Sequence, residues 1–200
     1  MNGNPERELR AEATRRYALM LGALVAIQFV VGYEWLISGL SKLVRGGFPS
    51  GLADELTEKS GDMYGWYWSF LDWAVIPYAT AWGYLIEWGE VLIAAVLVGA
   101  ALVWLVAGRR LGQRARVWLL SVSALAAFAG LVLNVVLHLA NGSSHPWVLA
   151  EDPFDEGVDL DMFMVLLQLV LIVANVMLLR ALLRAGSVLT APARQGSESG

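Results

Sequence analysis

Three carboxylic acids stand inside apolar runs of this sequence. Glu34 lies in "VVGYEWLISGLSKL", and Glu87 and Glu90 lie in "YLIEWGEVLIAAVLVGAALVWL". Lys42, Asn134, His138 and Gln168 occupy or flank similar runs. A charged side chain at the centre of a bilayer costs about 2.5–3.5 kcal/mol on insertion scales, so an acid kept there points to function. A protonated carboxyl donates a hydrogen bond and can pass its proton to a carbonyl, and an ammonium or imidazole can bond the same carbonyl. Together these residue types suit proton exchange with a quinone, or the relay of protons or a small cation. They suit hydrogen-bonded packing between helices as well, at about 0.6 kcal/mol per bond. Metal chemistry finds no support. The chain has no cysteine, which removes thiol metal sites, iron–sulfur clusters and internal disulfide exchange. Of the two histidines, His145 falls in a polar loop, so a haem ligated by His138 lacks its second histidine. No flavin motif is present.

The elements that must position these groups are helices in a membrane. Of 200 residues, 58% are hydrophobic and 16% charged, against about 45–50% and 25% in soluble domains. The excess falls in four blocks, each near the roughly 20 residues that cross a bilayer. The blocks lack the alternation of a barrel strand, which leaves helices. The expected fold is therefore all-α, an up-down-up-down bundle of four transmembrane helices. The spans fall at about 17–41, 78–107, 117–140 and 161–183, within a single membrane domain over 17–183. Residues 1–16 read as a charged helical extension, with Glu6/Arg10 and Glu12/Arg16 at i,i+4. Its arginines alternate with acids, which suits a membrane surface and not a nucleic acid. Residues 184–200 read as a disordered tail. Between the first two spans, "RGGFPSG" breaks the helix. "LADELTEK" then reads as a short helix, and Tyr64, Trp66, Tyr67, Trp68, Phe70, Trp73 and Tyr78 follow. Such aromatic density predicts an interfacial helix in the first outer loop, and Trp147 predicts a second anchor in the third. Ala95-x-x-x-Gly99, Ser123-x-x-x-Ala127 and Ala126-x-x-x-Gly130 predict close helix approach.

Charge sets the expected orientation. Arg7, Arg10, Arg15 and Arg16 precede span one, Arg109, Arg110, Arg114 and Arg116 join spans two and three, and Arg180, Arg184 and Arg194 follow span four. The other side holds Lys42, Arg45 and Lys59. Cytoplasmic loops are the basic ones, so both termini are expected in the cytoplasm of a bacterial or archaeal cell. The outer loops are acidic, from Asp54 to Asp72 and from Glu151 to Asp161. At about 1.5 Å of rise per residue, Glu87 lies some 13 Å and Glu90 about 18 Å below the outer boundary. Glu34 sits about two-thirds of the way outward. Asn134 and His138 share one face of span three, and Asp161, Gln168 and Asn175 recur every seven residues on span four. Glu34, Lys42, Glu87, Glu90, Asn134, His138 and Gln168 thus define a candidate pocket in the outer half.

Three segments resemble the DoxX/DoxD family. "GYEWLISGLSKL" looks like its first helix, which ends in Gly-x-x-Lys, here Gly39 and Lys42. "GEVLIAAVLVGAAL" looks like its second, with Glu90 followed nine positions on by Gly99. "LNVVLHLANGSSHPW" resembles the end of the third helix in some members. The resemblance spans roughly residues 17–180. It implies a four-helix membrane subunit, in DoxD-type members one that passes electrons from thiosulfate to quinone. In that reading Glu87 and Glu90 exchange protons with the quinone, and His138 or Lys42 bonds a carbonyl. Electrons come from a partner, a further membrane or extracytoplasmic subunit. The acidic outer loops would repel the thiosulfate dianion. Two other readings stay open, a non-catalytic subunit that anchors a larger complex and a transporter of protons or small cations. The absence of a broken helix or inverted repeat weakens the last.

Overall fold

The computed structural model describes residues 5–142 and 160–190, and these residues are almost wholly helical. The helices are α1 (Pro5–Arg45), α2 (Phe48–Glu58), α3 (Gly65–Ala74), α4 (Ala79–Ala107), α5 (Gln113–Ala140) and α6 (Leu160–Thr190). Short 3-10 turns at Lys59–Gly61 and Ile76–Tyr78 flank α3. Four helices, α1, α4, α5 and α6, carry segments long and apolar enough to cross a membrane, which marks an integral membrane protein. The 29 residues of α4 extend about 43 Å. His145 and Trp147 lie outside the described residues, as do the side chains of Glu6 and Arg10.

Local sequence explains the helix boundaries. Pro5 opens α1, where its missing N–H costs nothing. Gly46 and Gly47 end it, with φ of 67° and 80°, a left-handed conformation that costs a side chain with a Cβ about 1 kcal/mol or more. Pro49 lies in the first turn of α2. Pro77 lies in the turn before α4, so that helix starts just after it. In the tail expected from residue 184, the helix instead continues to Thr190.

The four long helices touch in the ring α1–α4–α5–α6–α1. Contacts run in opposite order along neighbours. Gly32 meets Leu97 and Val98, while Gly39 meets Glu90 and Val91. Likewise Gln113 bonds the Leu182 carbonyl, Asn134 bonds Gln168 and Asn141 bonds Asp161. The pairs α1/α4 and α5/α6 are therefore antiparallel. Leu24, Val31, Trp35, Leu97, Ala101, Leu120, Ala127, Leu171 and Leu178 fill the space between them. Many large apolar side chains face outward, among them Val30, Leu92, Leu105, Val106 and Leu125. So large an apolar exterior on a folded chain requires a nonaqueous surrounding.

Two of the expected packing motifs sit on the buried face and one does not. Ser123, Ala126, Ala127 and Gly130 are buried in α5. Ala95 is exposed, and a Cβ on Gly99 would meet nothing within 4 Å. The buried stripe of α4 runs instead through Ala94, Leu97 and Ala101. Small-x-x-x-small spacing identifies a helix stripe but not which way the stripe faces. The segment between α1 and α4 contains the short helix expected at "LADELTEK" and a second helix over the aromatic stretch. It folds as α2 and α3, with α2 packed on α4 at the contact of Pro49 with Gly83. Leu52, Leu56, Met63, Tyr67, Leu71 and Ala79 form a second small core there. Trp66, Phe70, Trp73 and Tyr78 remain exposed.

Candidate functional site

Antiparallel packing brings the C-terminal end of α1 beside the N-terminal half of α4. Ser38 and Lys42, four residues apart, lie on one face of α1. Glu90 on α4 meets them both. The Lys42 ammonium donates to Glu90 Oε1 at 2.6 Å, to Glu90 Oε2 at 2.7 Å and to Ser38 Oγ at 3.0 Å. Ser38 Oγ donates in turn to Glu90 Oε2 at 3.0 Å. The Glu90 side chain is 0% exposed and that of Lys42 20%. An ammonium has three donors, so those of Lys42 are all engaged, and its nitrogen also lies over the Phe48 ring, 5.1 Å from the centroid. Gly39 makes this possible. A Cβ there would stand 2.8 Å from Val91 Cγ2 and 3.2 Å from Glu90 Cβ, so the glycine lets α1 approach closely enough for Lys42 to reach across. The Gly-x-x-Lys pattern thus has a physical reading, close approach followed by a cation.

A second polar group joins α5, α6 and α1. Asn134 Nδ2 donates to Gln168 Oε1 at 3.2 Å, and both residues are buried. Gln168 Nε2 and the indole Trp35 Nε1 are enclosed and have no hydrogen-bond partner among the described residues. Both approach Gly130, whose added Cβ would stand 2.5 Å from Gln168 Nε2 and 3.1 Å from Trp35 Nε1. A buried donor left unpaired costs about 1–3 kcal/mol, and two such donors converge beside Gly130. Glu34, one residue before Trp35, is half-buried, and its Oε2 is enclosed without a partner among the described residues. Ser38 follows Glu34 by four residues on α1, so the two lie on one face of that helix.

Glu87 is one turn before Glu90 on α4 and 5% exposed, and His138 is one turn after Asn134 on α5 and 4% exposed. All seven residues singled out from the sequence thus sit in or beside the half of the bundle that carries Lys42. Two are directly joined as an ion pair and two as an amide pair. The three donors of Lys42 are taken up by Glu90 and Ser38.

Sequence reasoning passed over Ser38, Trp35 and Gln28, and read Ser123 only as a packing residue. Gln28 is fully buried, and its Nε2 donates to the Leu97 carbonyl at 3.0 Å and to Ser123 Oγ at 3.2 Å. An amide inside an apolar run was a readable signal. A serine or tryptophan is ordinary in such a run, and only the neighbours reveal its role. Further along, Asn175 is buried and donates to the Leu171 carbonyl at 2.8 Å. One turn beyond Gln28, Ser123 and Asn175 stand Leu24, Leu120 and Leu178, all buried. The polar track ends at this apolar layer.

Among the described residues, no group of three or more His, Cys, Asp or Glu side chains could hold a metal ion. Compared with protein-family models, with curated proteins and with solved structures, the chain matches none.

Proposed function

We propose that this chain is a DoxX-like membrane subunit of an oxidoreductase that interacts with quinone through the polar half of its bundle. One observation carries the reading. A fully buried carboxylate, held by Lys42 and Ser38, shares one bundle interior with two buried N–H donors, Gln168 Nε2 and Trp35 Nε1, that have no partner among the described residues. A quinone carbonyl is an acceptor without a donor, the complement of those two groups. Quinone supplies a two-electron, two-proton couple, and a reduced centre on a partner subunit supplies the electrons.

This chain's residues bind the ring and manage the protons. Gln168 and Trp35 orient a carbonyl. Asn134 fixes the Gln168 amide so that its N–H side stays free for the ligand. Glu87 and Glu90 exchange protons, and Lys42 with Ser38 keeps the Glu90 carboxylate ordered between transfers. Glu34 and His138 extend the pocket toward the Lys42 end of the bundle. The apolar layer at Leu24, Leu120 and Leu178 closes the track in the other direction, so protons enter from one side only. That layer disfavours transport through the bundle.

The membrane placement follows the charges. The up-down bundle has both termini in the cytoplasm, and the Lys42 end faces outward in a bacterial or archaeal membrane. The exposed aromatic rings of α3 lie at the outer lipid–water boundary, where aromatic belts are found.

A structural reading is favoured by one observation. The ion pair with Ser38 is internally complete and could serve only to clamp α1 to α4, as in an anchoring subunit. Quinone content separates the two. Protein purified in mild detergent is expected to carry quinone near one per chain, and the Glu87→Gln/Glu90→Gln variant to carry little while staying folded. Absence of quinone from both, with the chain copurifying in a larger complex, supports the anchor and refutes the redox reading.

A further inference from the structure

Two turns inward from Trp35, Gly130 and Gln168 the bundle carries a second polar layer. Gln28 on α1, Ser123 on α5 and Asn175 on α6 each stand seven residues from their counterpart in the first layer. Seven residues are close to two full turns, about 10.5 Å of rise, so the step keeps to one face of each helix. The antiparallel course of α6 takes its step in the same direction as the other two. Asn141 meets Asp161 and Asn134 meets Gln168 at this spacing, and the next step sets Ala127, one turn from Ser123, level with Asn175. The bond from Gln28 Nε2 to Ser123 Oγ at 3.2 Å joins α1 to α5 within the layer. All three side chains are buried.

The layer is short of donors. Gln28 Nε2 is committed to Ser123 and to the Leu97 carbonyl, and Asn175 Nδ2 to the Leu171 carbonyl of its own helix. Gln28 Oε1 and Asn175 Oδ1 are enclosed and have no hydrogen-bond partner among the described residues. The Nε2 edge of the Gln28 amide is turned to α5 and α4, so its oxygen is turned from them. The other neighbour of α1 in the ring is α6, which carries Asn175, and the α1/α6 contact is the loosest of the four. An occupant that donates to both oxygens must be small and uncharged. The layer consists of two amides and a hydroxyl. Fully buried Val31 and Leu171 stand between it and the first layer, and Leu24, Leu120 and Leu178 close it on the inner side. A cation stripped of water among such neutral groups is costly. Water has two O–H donors, one for each oxygen, and it accepts from the Ser123 hydroxyl, which has a proton to give. Buried waters make about three bonds of this kind.

We propose that Gln28, Ser123 and Asn175 form a binding site for one water molecule, which donates to Gln28 Oε1 and Asn175 Oδ1 and so bridges α1 to α6 across their loosest contact. The site does not rest on the quinone reading above.

The test is water-edited solid-state NMR on the full chain in lipid bilayers, with isotope labels in the asparagine and glutamine side chains and the leucine methyl groups. Magnetisation that starts on water is expected to reach the Gln28 and Asn175 carboxamides and not the methyl groups of Leu24, Leu171 and Leu178. Asn175→Leu removes one acceptor and fills its space with a side chain of similar size, so transfer to Gln28 should be lost. Unshifted Asn134 and Gln168 signals then show that the variant is folded, and the wild-type measurement decides the matter if it is not. Dry Gln28 and Asn175 carboxamides in the wild type overturn the proposal, as does transfer to Gln28 that persists in a folded Asn175→Leu. A direct contact of Asn175 Nδ2 with Gln28 Oε1 overturns it by pairing the two amides without water. Carbonyl signals of both residues that shift when sodium replaces potassium overturn it in favour of a cation. Equal transfer to the leucine methyl groups overturns it as general wetting of the interior.

Discussion

Removing the Lys42 ammonium isolates the contribution of the ion pair to the fold. Lys42→Met keeps the length of the stem and takes away three hydrogen bonds, two to Glu90 and one to Ser38. Glu90, with a side chain 0% exposed, then has Ser38 as its remaining donor. Breaking a buried pair from one side costs about 3–5 kcal/mol, because the other charge stays buried. Glu90→Gln is expected to cost less. It leaves Lys42, whose side chain is 20% exposed and whose flexible stem can carry the ammonium toward the interface. The Lys42→Met/Glu90→Gln double variant removes both charges. It should be less destabilised than the sum of the singles by about 2 kcal/mol or more, within the range of couplings seen between contacting residues. The assay is reversible unfolding in mixed micelles, followed by far-UV circular dichroism, with all four proteins under one set of conditions. Additive single and double variants, or Glu90→Gln costing more than Lys42→Met, would refute the reasoning.

Three more outcomes follow from contacts between helices. Gly39→Val should lower stability by about 1–3 kcal/mol, since the new atoms push Val91 and Glu90 away, and Gly99→Ala should be neutral or stabilising by up to about 1 kcal/mol; thermal melting of the two variants decides it. Gly130→Ala directs a methyl at Gln168 Nε2 and Trp35 Nε1 and is expected to lower quinone affinity by about tenfold or more, measured by equilibrium binding. Tyr67→Phe removes the bond to the Val136 carbonyl and should cost about 1 kcal/mol, with faster amide exchange in α3 and little change in α1, read by hydrogen–deuterium exchange.

The fold was legible in the sequence because its strongest signal is cumulative. Runs such as "FMVLLQLVLIVANVMLL" admit few structures besides a buried or membrane helix. The acids were conspicuous for the same reason, since a glutamate in such a run stands out whatever it does. Pairing was not legible. Nothing in the spacing of Lys42 and Glu90 states that they meet, because the register of α1 against α4 is set by Gly32 and Gly39, whose role appears only when the helices are docked. The face of a small-residue stripe is likewise a tertiary property. Ala95 and Gly99 look as suitable as Ala94 and Ala101, but only the latter pair turns inward. Trp35 and Ser38 gained their meaning from Gln168, Gly130 and Glu90 on other helices.

Photolabelling tests the central claim most directly. An azido-quinone is bound to the purified protein, activated by light, and mapped by mass spectrometry, with and without excess unlabelled quinone. Label that is displaced by competitor and confined to α4 around Glu87–Ile93 and α5 around Leu133–His138 is the predicted result. Label spread over the exposed apolar surface and insensitive to competitor would contradict the account and leave the Lys42–Glu90 pair as a clamp between helices.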